Sequence, residues 1–191
     1  MADDTDTNTA GFQLQTGTGD NDRLIGTHGM DRLLGQDGQD LLFGNLGRDY
    51  LEGGGGSDDL YGNRGGDDRV EDRFVFDRDD GSDIIFDFVP PGSNMIKINP
   101  MPEGDKIVLL GGTQEDIDGL IEAAATRRAE AVKDYEAHLS TSDGKDLRSP
   151  DASLIYGDGA DPWAEFSYGE THVVLRGVEG DTLSADWFVL G

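Results

Sequence analysis

Residues 17–70 repeat with a period of nine. In six consecutive blocks the first position is glycine (Gly17, Gly26, Gly35, Gly44, Gly53, Gly62) and the sixth is aspartate (Asp22, Asp31, Asp40, Asp49, Asp58, Asp67). The eighth is leucine (Leu24, Leu33, Leu42, Leu51, Leu60) until Arg69 breaks the row, and the fourth is glycine except for Asp20 in the first block. Several positions held in one phase over six blocks separate this stretch from an acidic, glycine-rich linker, which has no reason to keep leucine in step. Glycine at fixed positions lets the backbone turn tightly. The Asp-x-Leu-x run after each turn alternates polar and apolar, as a strand with one buried face does.

A nine-residue unit is too short to bury anything alone, so the units must stack. If consecutive strands go to opposite sheets, one turn of the coil takes two blocks. Odd blocks then stack on one side and even blocks on the other. Stacked strands lie about 4.8 Å apart, which places Asp22, Asp40 and Asp58 in one column and Asp31, Asp49 and Asp67 in another. Carboxylates about 5 Å apart repel by roughly 1 kcal/mol in water and about 3 kcal/mol at a protein surface. Residues 17–70 carry eleven acidic residues and five arginines, and the arginines sit mostly beside the turns or on the strands. The columns therefore call for a cation. Carboxylate and carbonyl oxygens in flexible coordination favour Ca²⁺ over Mg²⁺.

The blocks resemble the repeats-in-toxin (RTX) nonapeptide G-G-x-G-x-D-x-U-x, with U a large apolar residue. Only Gly54 keeps the second glycine; Thr18, Thr27, Gln36, Asn45 and Asn63 replace it. The resemblance implies a mainly β fold, a right-handed parallel β-roll with calcium between turns n and n+2. It implies as ligands the side chains of the six sixth-position aspartates. Backbone carbonyls of the six first-position glycines and of His28, Asp37, Leu46 and Gly55 would complete the set. Pairing n with n+2 gives four sites, 22/40, 31/49, 40/58 and 49/67, with Asp40 and Asp49 each serving two ions. In block six a one-residue slip, with Asp68 as ligand and Val70 inward, would repair the break at Arg69.

The rest of the chain follows from this core. Residues 1–16 read as a flexible leader, 17–76 as the roll and 77–191 as a β-rich cap with one inserted helix. Phe74–Phe76, Ile84–Phe88 and the Gly104–Gly112 stretch read as strands that continue and close the roll. Asp77, Asp79, Asp80 and Asp83 make an acidic turn, with a fifth ion as the less favoured alternative. From 113 to 139, apolar residues recur mainly three and four apart, the pattern of an amphipathic helix. Thr113 and Asp116 offer a start resembling a capping box. The helix is expected to dock on its own protein. The outward ninth positions Ile25, Phe43 and Tyr61 form a stripe that either the helix or a partner would bury. Strands are expected again at Ser153–Tyr156, Ala164–Tyr168, Thr171–Arg176 and Trp187–Leu190.

Net charge −25 and a pI near 4.1 argue against nucleic acid or an anionic membrane as partner. There is no cysteine, and hence no disulfide or thiol chemistry. No apolar run approaches the roughly 20 residues of a membrane span, and the first residues lack the pattern of a secretory signal peptide. The last residues, through Asp186-Trp187-Phe188-Val189-Leu190, resemble the end of type I-secreted RTX proteins, where an uncleaved C-terminus carries the export signal. His28, His138 and His172 are isolated, and neither H-E-x-x-H nor G-x-S-x-G occurs. The expectation is a secreted, extracellular calcium-binding module that folds on calcium after export through a type I apparatus, without catalysis. The alternatives are an adhesin with a glycan or protein ligand, and the non-catalytic module of a larger enzyme such as an alginate epimerase. A surface row at Trp163, Phe166 and Tyr168 would favour glycan binding; their burial would favour a plain cap.

Overall fold

A computed structural model describes residues 13–63, 70–91, 104–141, 163–178 and 183–191, with the backbone alone over 128–141 and at 163. Asp67, Asp68 and the expected strand Ser153–Tyr156 lie outside these residues. Twelve strands are described: β1 Gln13–Thr16, β2 Arg23–Ile25, β3 Asp31–Gly38, β4 Leu41–Phe43, β5 Tyr50–Gly56, β6 Asp59–Tyr61, β7 Arg73–Phe76, β8 Ser82–Ile85, β9 Lys106–Leu109, β10 Trp163–Tyr168, β11 Thr171–Arg176 and β12 Phe188–Leu190. One helix, α1, spans Gln114–Thr141.

The strands alternate between two sheets, ordered β1-β3-β5-β7-β9-β12 and β2-β4-β6-β8-β11-β10. Pairing is parallel throughout except between β10 and β11. Two blocks therefore make one turn of a parallel β-roll. Its interior is a pair of apolar columns. Leu33 pairs with Leu51, Leu51 with Phe74, Phe74 with Ile107 and Ile107 with Phe188 in one sheet. Leu24, Leu42, Leu60, Ile85 and Leu175 do the same in the other. Removing these stacked side chains from water is the main apolar drive for the roll, worth roughly 25 cal/mol per Å² of apolar surface.

Three expectations are revised. Residues 13–16, assigned to the leader, form β1 and pair with β3. Gln15 takes the inward station there and its amide donates to the Ile25 carbonyl (2.5 Å). A polar plug thus ends the leucine column, as solenoid ends require. In block six, Val70 is 38% exposed rather than inward. The next strand begins at Arg73, so Phe74 fills the station opposite Leu51. The outward stripe, finally, is covered in part by its own rings, with Ile25 left 37% exposed. Phe43, Tyr61 and Phe86 stack at 4.9 and 4.5 Å between ring centroids, with Arg23 over Phe43 and Arg176 over Phe86.

Helix α1 packs elsewhere, against β10 and a short 3-10 helix at Ala185–Trp187. Its start is a capping box: the Thr113 hydroxyl and backbone N–H both donate to Asp116 Oδ2, and Asp116 N–H returns to Thr113 Oγ1. Ile117, Leu120 and Ala124 join the core cluster with Phe166, Leu183, Trp187 and Phe188, closing the C-terminal end of the roll. Arg78 holds the helix start through Asp116 (2.9 Å), and Arg127 donates to the Glu165 carbonyl (2.8 Å). No helix among the described residues is long and apolar enough to cross a membrane.

Candidate metal centre

The stacking turns the sixth-position aspartates into two ladders. In the first, Asp22 N–H donates to Asp40 Oδ1, Asp40 N–H to Asp58 Oδ1 and Asp58 N–H to Asp83 Oδ1 (2.8, 2.8 and 3.0 Å). In the second, Asp31 N–H donates to Asp49 Oδ1, Asp49 N–H to Asp72 Oδ1 and Asp72 N–H to Asp105 Oδ1 (2.8, 2.9 and 3.0 Å). Each carboxylate after the first of its ladder thus spends one oxygen on the backbone of the turn before it. The structure brings Asp22, Asp40 and Asp58 together, and Asp31 with Asp49, as the period requires. The station expected for Asp67 is held by Asp72.

What satisfies the second oxygen differs along the ladders. At the N-terminal end the protein holds Oδ2: Thr18 N–H and Oγ1 donate to Asp22 Oδ2, and Thr27 N–H and Oγ1 to Asp31 Oδ2, while Asp31 Oδ1 is buried with no hydrogen-bond partner. At the far end of the second ladder Val89 N–H donates to Asp105 Oδ2 (2.7 Å). In the first ladder beyond Asp22, Oδ2 of Asp40, Asp58 and Asp83 is buried with no hydrogen-bond partner. An unpaired buried charge is expensive.

The Asp40 and Asp58 oxygens face a recess that only glycine leaves open. An ideal Cβ on Gly35 would collide with Asp40 Oδ2 and the Gly53 carbonyl oxygen; on Gly26 it would meet the Gly44 oxygen and, at 2.7 Å, Asp31 Oδ2. Gly17 repeats this with the Gly35 oxygen at 2.5 Å and Asp22 Oδ2 at 2.8 Å, and Gly44 with the Gly62 oxygen at 2.7 Å and Asp49 Oδ2. First-position carbonyls and carboxylate oxygens of successive turns therefore converge on one recess per step. Among the described residues no three carboxylate or imidazole side chains gather at one point, so each recess offers few charges and several neutral oxygens. Hard anionic and carbonyl oxygens without nitrogen or sulfur are the donors of calcium. The residues present fit that ion.

The second-position residues enter the same recess. Gln36 and Asn45 have left-handed backbones (φ 82° and 76°), standing where the nonapeptide pattern has glycine. Their amides donate to the carbonyls of Gly17 and Gly26. Both are carbonyls of the expected ligand set, so a bound ion must share or displace these amides. Of the third-position residues, His28, Asp37 and Leu46 are exposed in their turns and Gly55 is half-buried beside Asp37.

Burial pushes the Asp58 carboxyl up to about 6 and the Asp83 carboxyl up to about 8; in both, the N–H of the turn before works in the opposite direction. Asp40 is raised for the same reason. These groups bind protons more tightly folded than unfolded, so without metal their contribution is greatest below the unfolded value near 3.9. It fades as pH rises through about 6 and then about 8. In excess chelator the strand signal in circular dichroism should therefore grow on going from pH 8 to pH 5. A chelated protein at least as structured at pH 8 as at pH 5 would count against the arrangement.

The nine-residue period does not place Asp72, Asp83 or Asp105 in the columns. Local signals exist: Gly81-Ser82-Asp83 copies Gly56-Ser57-Asp58, and Asp72-Arg73-Phe74-Val75 and Asp105-Lys106-Ile107-Val108 keep the Asp-x-apolar-x run.

No curated protein matches the chain. The model of the RTX calcium-binding nonapeptide repeat, in four copies, matches residues 16–51 and 34–68, the stretch in which both aspartate ladders and their glycine recesses begin. Between residues 16 and 68 the chain is thus an array of RTX calcium-binding nonapeptide repeats.

Proposed function

We propose that this is a secreted calcium-binding β-roll that stays unfolded at low calcium, leaves the cell through a type I exporter and folds outside, with no catalysis of its own. The observation that carries the reading is the set of buried, unpartnered carboxylate oxygens on Asp40, Asp58 and Asp83. A small core offers little surplus over chain entropy, so burial of these charges requires the ion, and ion binding becomes folding energy. Affinities of about 0.1–1 mM, usual for extracellular modules, suit such a switch. Circular dichroism of the full chain should lose its strand signal in excess chelator at pH 7.5 and regain it cooperatively in that calcium range. An unchanged spectrum in chelator would refute calcium-dependent folding.

Export is read from the C-terminal residues, which form β12 at the edge of one sheet. Deleting Asp186–Gly191 should strand the protein inside cells that carry a compatible exporter; undiminished secretion would place the signal elsewhere. Two observations support a binding rather than a catalytic or glycan-recognising role. Phe166 and Tyr168 are buried, as a cap requires. Ser167, His172 and Glu165 meet at 3.3 and 3.7 Å, but on an outward hairpin surface where Arg127 also engages Glu165 (3.3 Å).

A further inference from the structure

We propose that Asp58 and Asp83 hold an additional calcium ion at the step where the repeats meet the irregular C-terminal region. The inference rests on the calcium reading of the repeats, but Asp83 lies beyond the residues the repeat model matches. Gly81-Ser82-Asp83 occupies the same stations as Gly56-Ser57-Asp58, one turn later. Gly81 and Gly56 are both left-handed (φ 101° and 146°), and a Cβ on either would strike the carbonyl oxygen of the glycine beneath, Gly56 and Gly38 respectively. Asp83 Oδ1 accepts Asp58 N–H at 3.0 Å just as Asp58 Oδ1 accepts Asp40 N–H at 2.8 Å. The rung repeats the carboxylate-to-backbone bond of the repeats at a sequence spacing of 25 residues instead of 18, with Arg78 at the station where the repeats have the recess glycine.

Asp58 and Asp83 are each 1% exposed, and Oδ2 of each lacks a partner. Among the described residues, no ion pair reaches either. The contrast with the other ladder is informative: its last member, Asp105, has Oδ2 closed by Val89 N–H, whereas Asp83 has no such donor. Two adjacent buried carboxylates need positive charge between them. One proton would neutralise one of the two; an oxygen-seeking divalent cation compensates both.

Asp77 and the half-buried Asp80 of the acidic turn are used otherwise. Asp77 Oδ1 accepts Arg78 N–H, and Asp80 Oδ2 accepts Asp77 N–H. The turn itself is pinned to the C-terminal hairpin: Thr171 Oγ1 donates to the Asp77 carbonyl (2.7 Å) and accepts Asp80 N–H (2.8 Å), while Glu170 N–H donates to the Arg78 carbonyl (2.7 Å). Because β8 lies between β6 and β11, an ion here ties the last matched repeat to the cap.

The test is calcium stoichiometry of the full chain by equilibrium dialysis with elemental analysis. Asp83→Asn keeps an acceptor for Asp58 N–H and removes the charge; it should bind one ion fewer per chain while regaining the wild-type strand signal in saturating calcium. Asp79→Asn, in the exposed turn, should keep the wild-type count. An unchanged count in folded Asp83→Asn overturns the site and leaves the repeat reading intact; a wild-type chain that binds no calcium overturns both. Anomalous scattering from terbium-loaded wild-type crystals decides the matter without any variant. Terbium between Asp58 and Asp83 supports the site, and terbium confined to the earlier rungs excludes it.

Discussion

Asp40→Ala is expected to raise the calcium midpoint of folding about tenfold or more, equivalent to about 1.4 kcal/mol or more, and to blunt its cooperativity; Asp22→Ala should move it little. Asp40 stands in the middle of a ladder. It accepts Asp22 N–H, its own N–H goes to Asp58, and its other oxygen faces the recess lined by Gly35 and the Gly53 carbonyl. With an ion between successive rungs, it serves two. Alanine would remove a ligand from both and leave Asp22 N–H without its acceptor, a loss of about 1–3 kcal/mol for a buried donor. Asp22 sits at the end. Its Oδ2 is already held by Thr18 N–H and Oγ1 (2.6 and 2.9 Å), and the turn before it is closed by the Gln15 plug. Calcium titrations followed by circular dichroism compare the two directly, and matching midpoints would show that rungs do not share ions in this way.

The period carried the most information where it is strict. An unbroken nine-residue spacing admits few stackings, and the pairing of Leu24 with Leu42 and Leu33 with Leu51 follows once consecutive strands alternate between sheets. The same arithmetic fails after Asp58 because the spacing between rungs grows from 18 to 23, 25 and 33 residues. Extra residues leave the ladder between stations, so phase alone cannot find Asp72, Asp83 or Asp105. Their local Asp-x-apolar-x pattern marks them independently of the period. β1 is illegible for the converse reason. Gln13 and Gln15 stand where the repeats have aspartate and leucine, and their inclusion follows from an edge that accepts any extended backbone. The outward stripe depended on Phe86, which lies past the repeats and completes the ring stack. The start of α1 was readable from Thr113 and Asp116. Its docking place was not, since Ile117, Leu120 and Ala124 would suit any apolar surface of that width.

A substitution that leaves every carboxylate in place should be almost as damaging as Asp40→Ala. Gly35→Ala adds one methyl group in the recess, where its Cβ would collide with both Asp40 Oδ2 and the Gly53 carbonyl oxygen. The backbone of Gly35 is not left-handed, so alanine is not strained there by φ. The cost is steric and local: overpacking of a tight site typically costs about 1–3 kcal/mol, and the methyl takes space that the ion needs between the two oxygens. The calcium midpoint should rise about tenfold, within the range that overpacking cost implies. Gly19→Ala is the matched control, because a Cβ there meets nothing within 4 Å, and its titration should overlay the wild type. The pair separates a cation recess from a merely glycine-rich turn. If loss of glycine flexibility were the whole effect, both substitutions would act through the unfolded chain and stabilise slightly. If the recess holds the ion, only Gly35→Ala loses affinity. Overlaid titrations for the two variants would mean that the ion lies outside the space between Asp40 and Gly53, and that the unpartnered oxygen of Asp40 must be compensated by some other group.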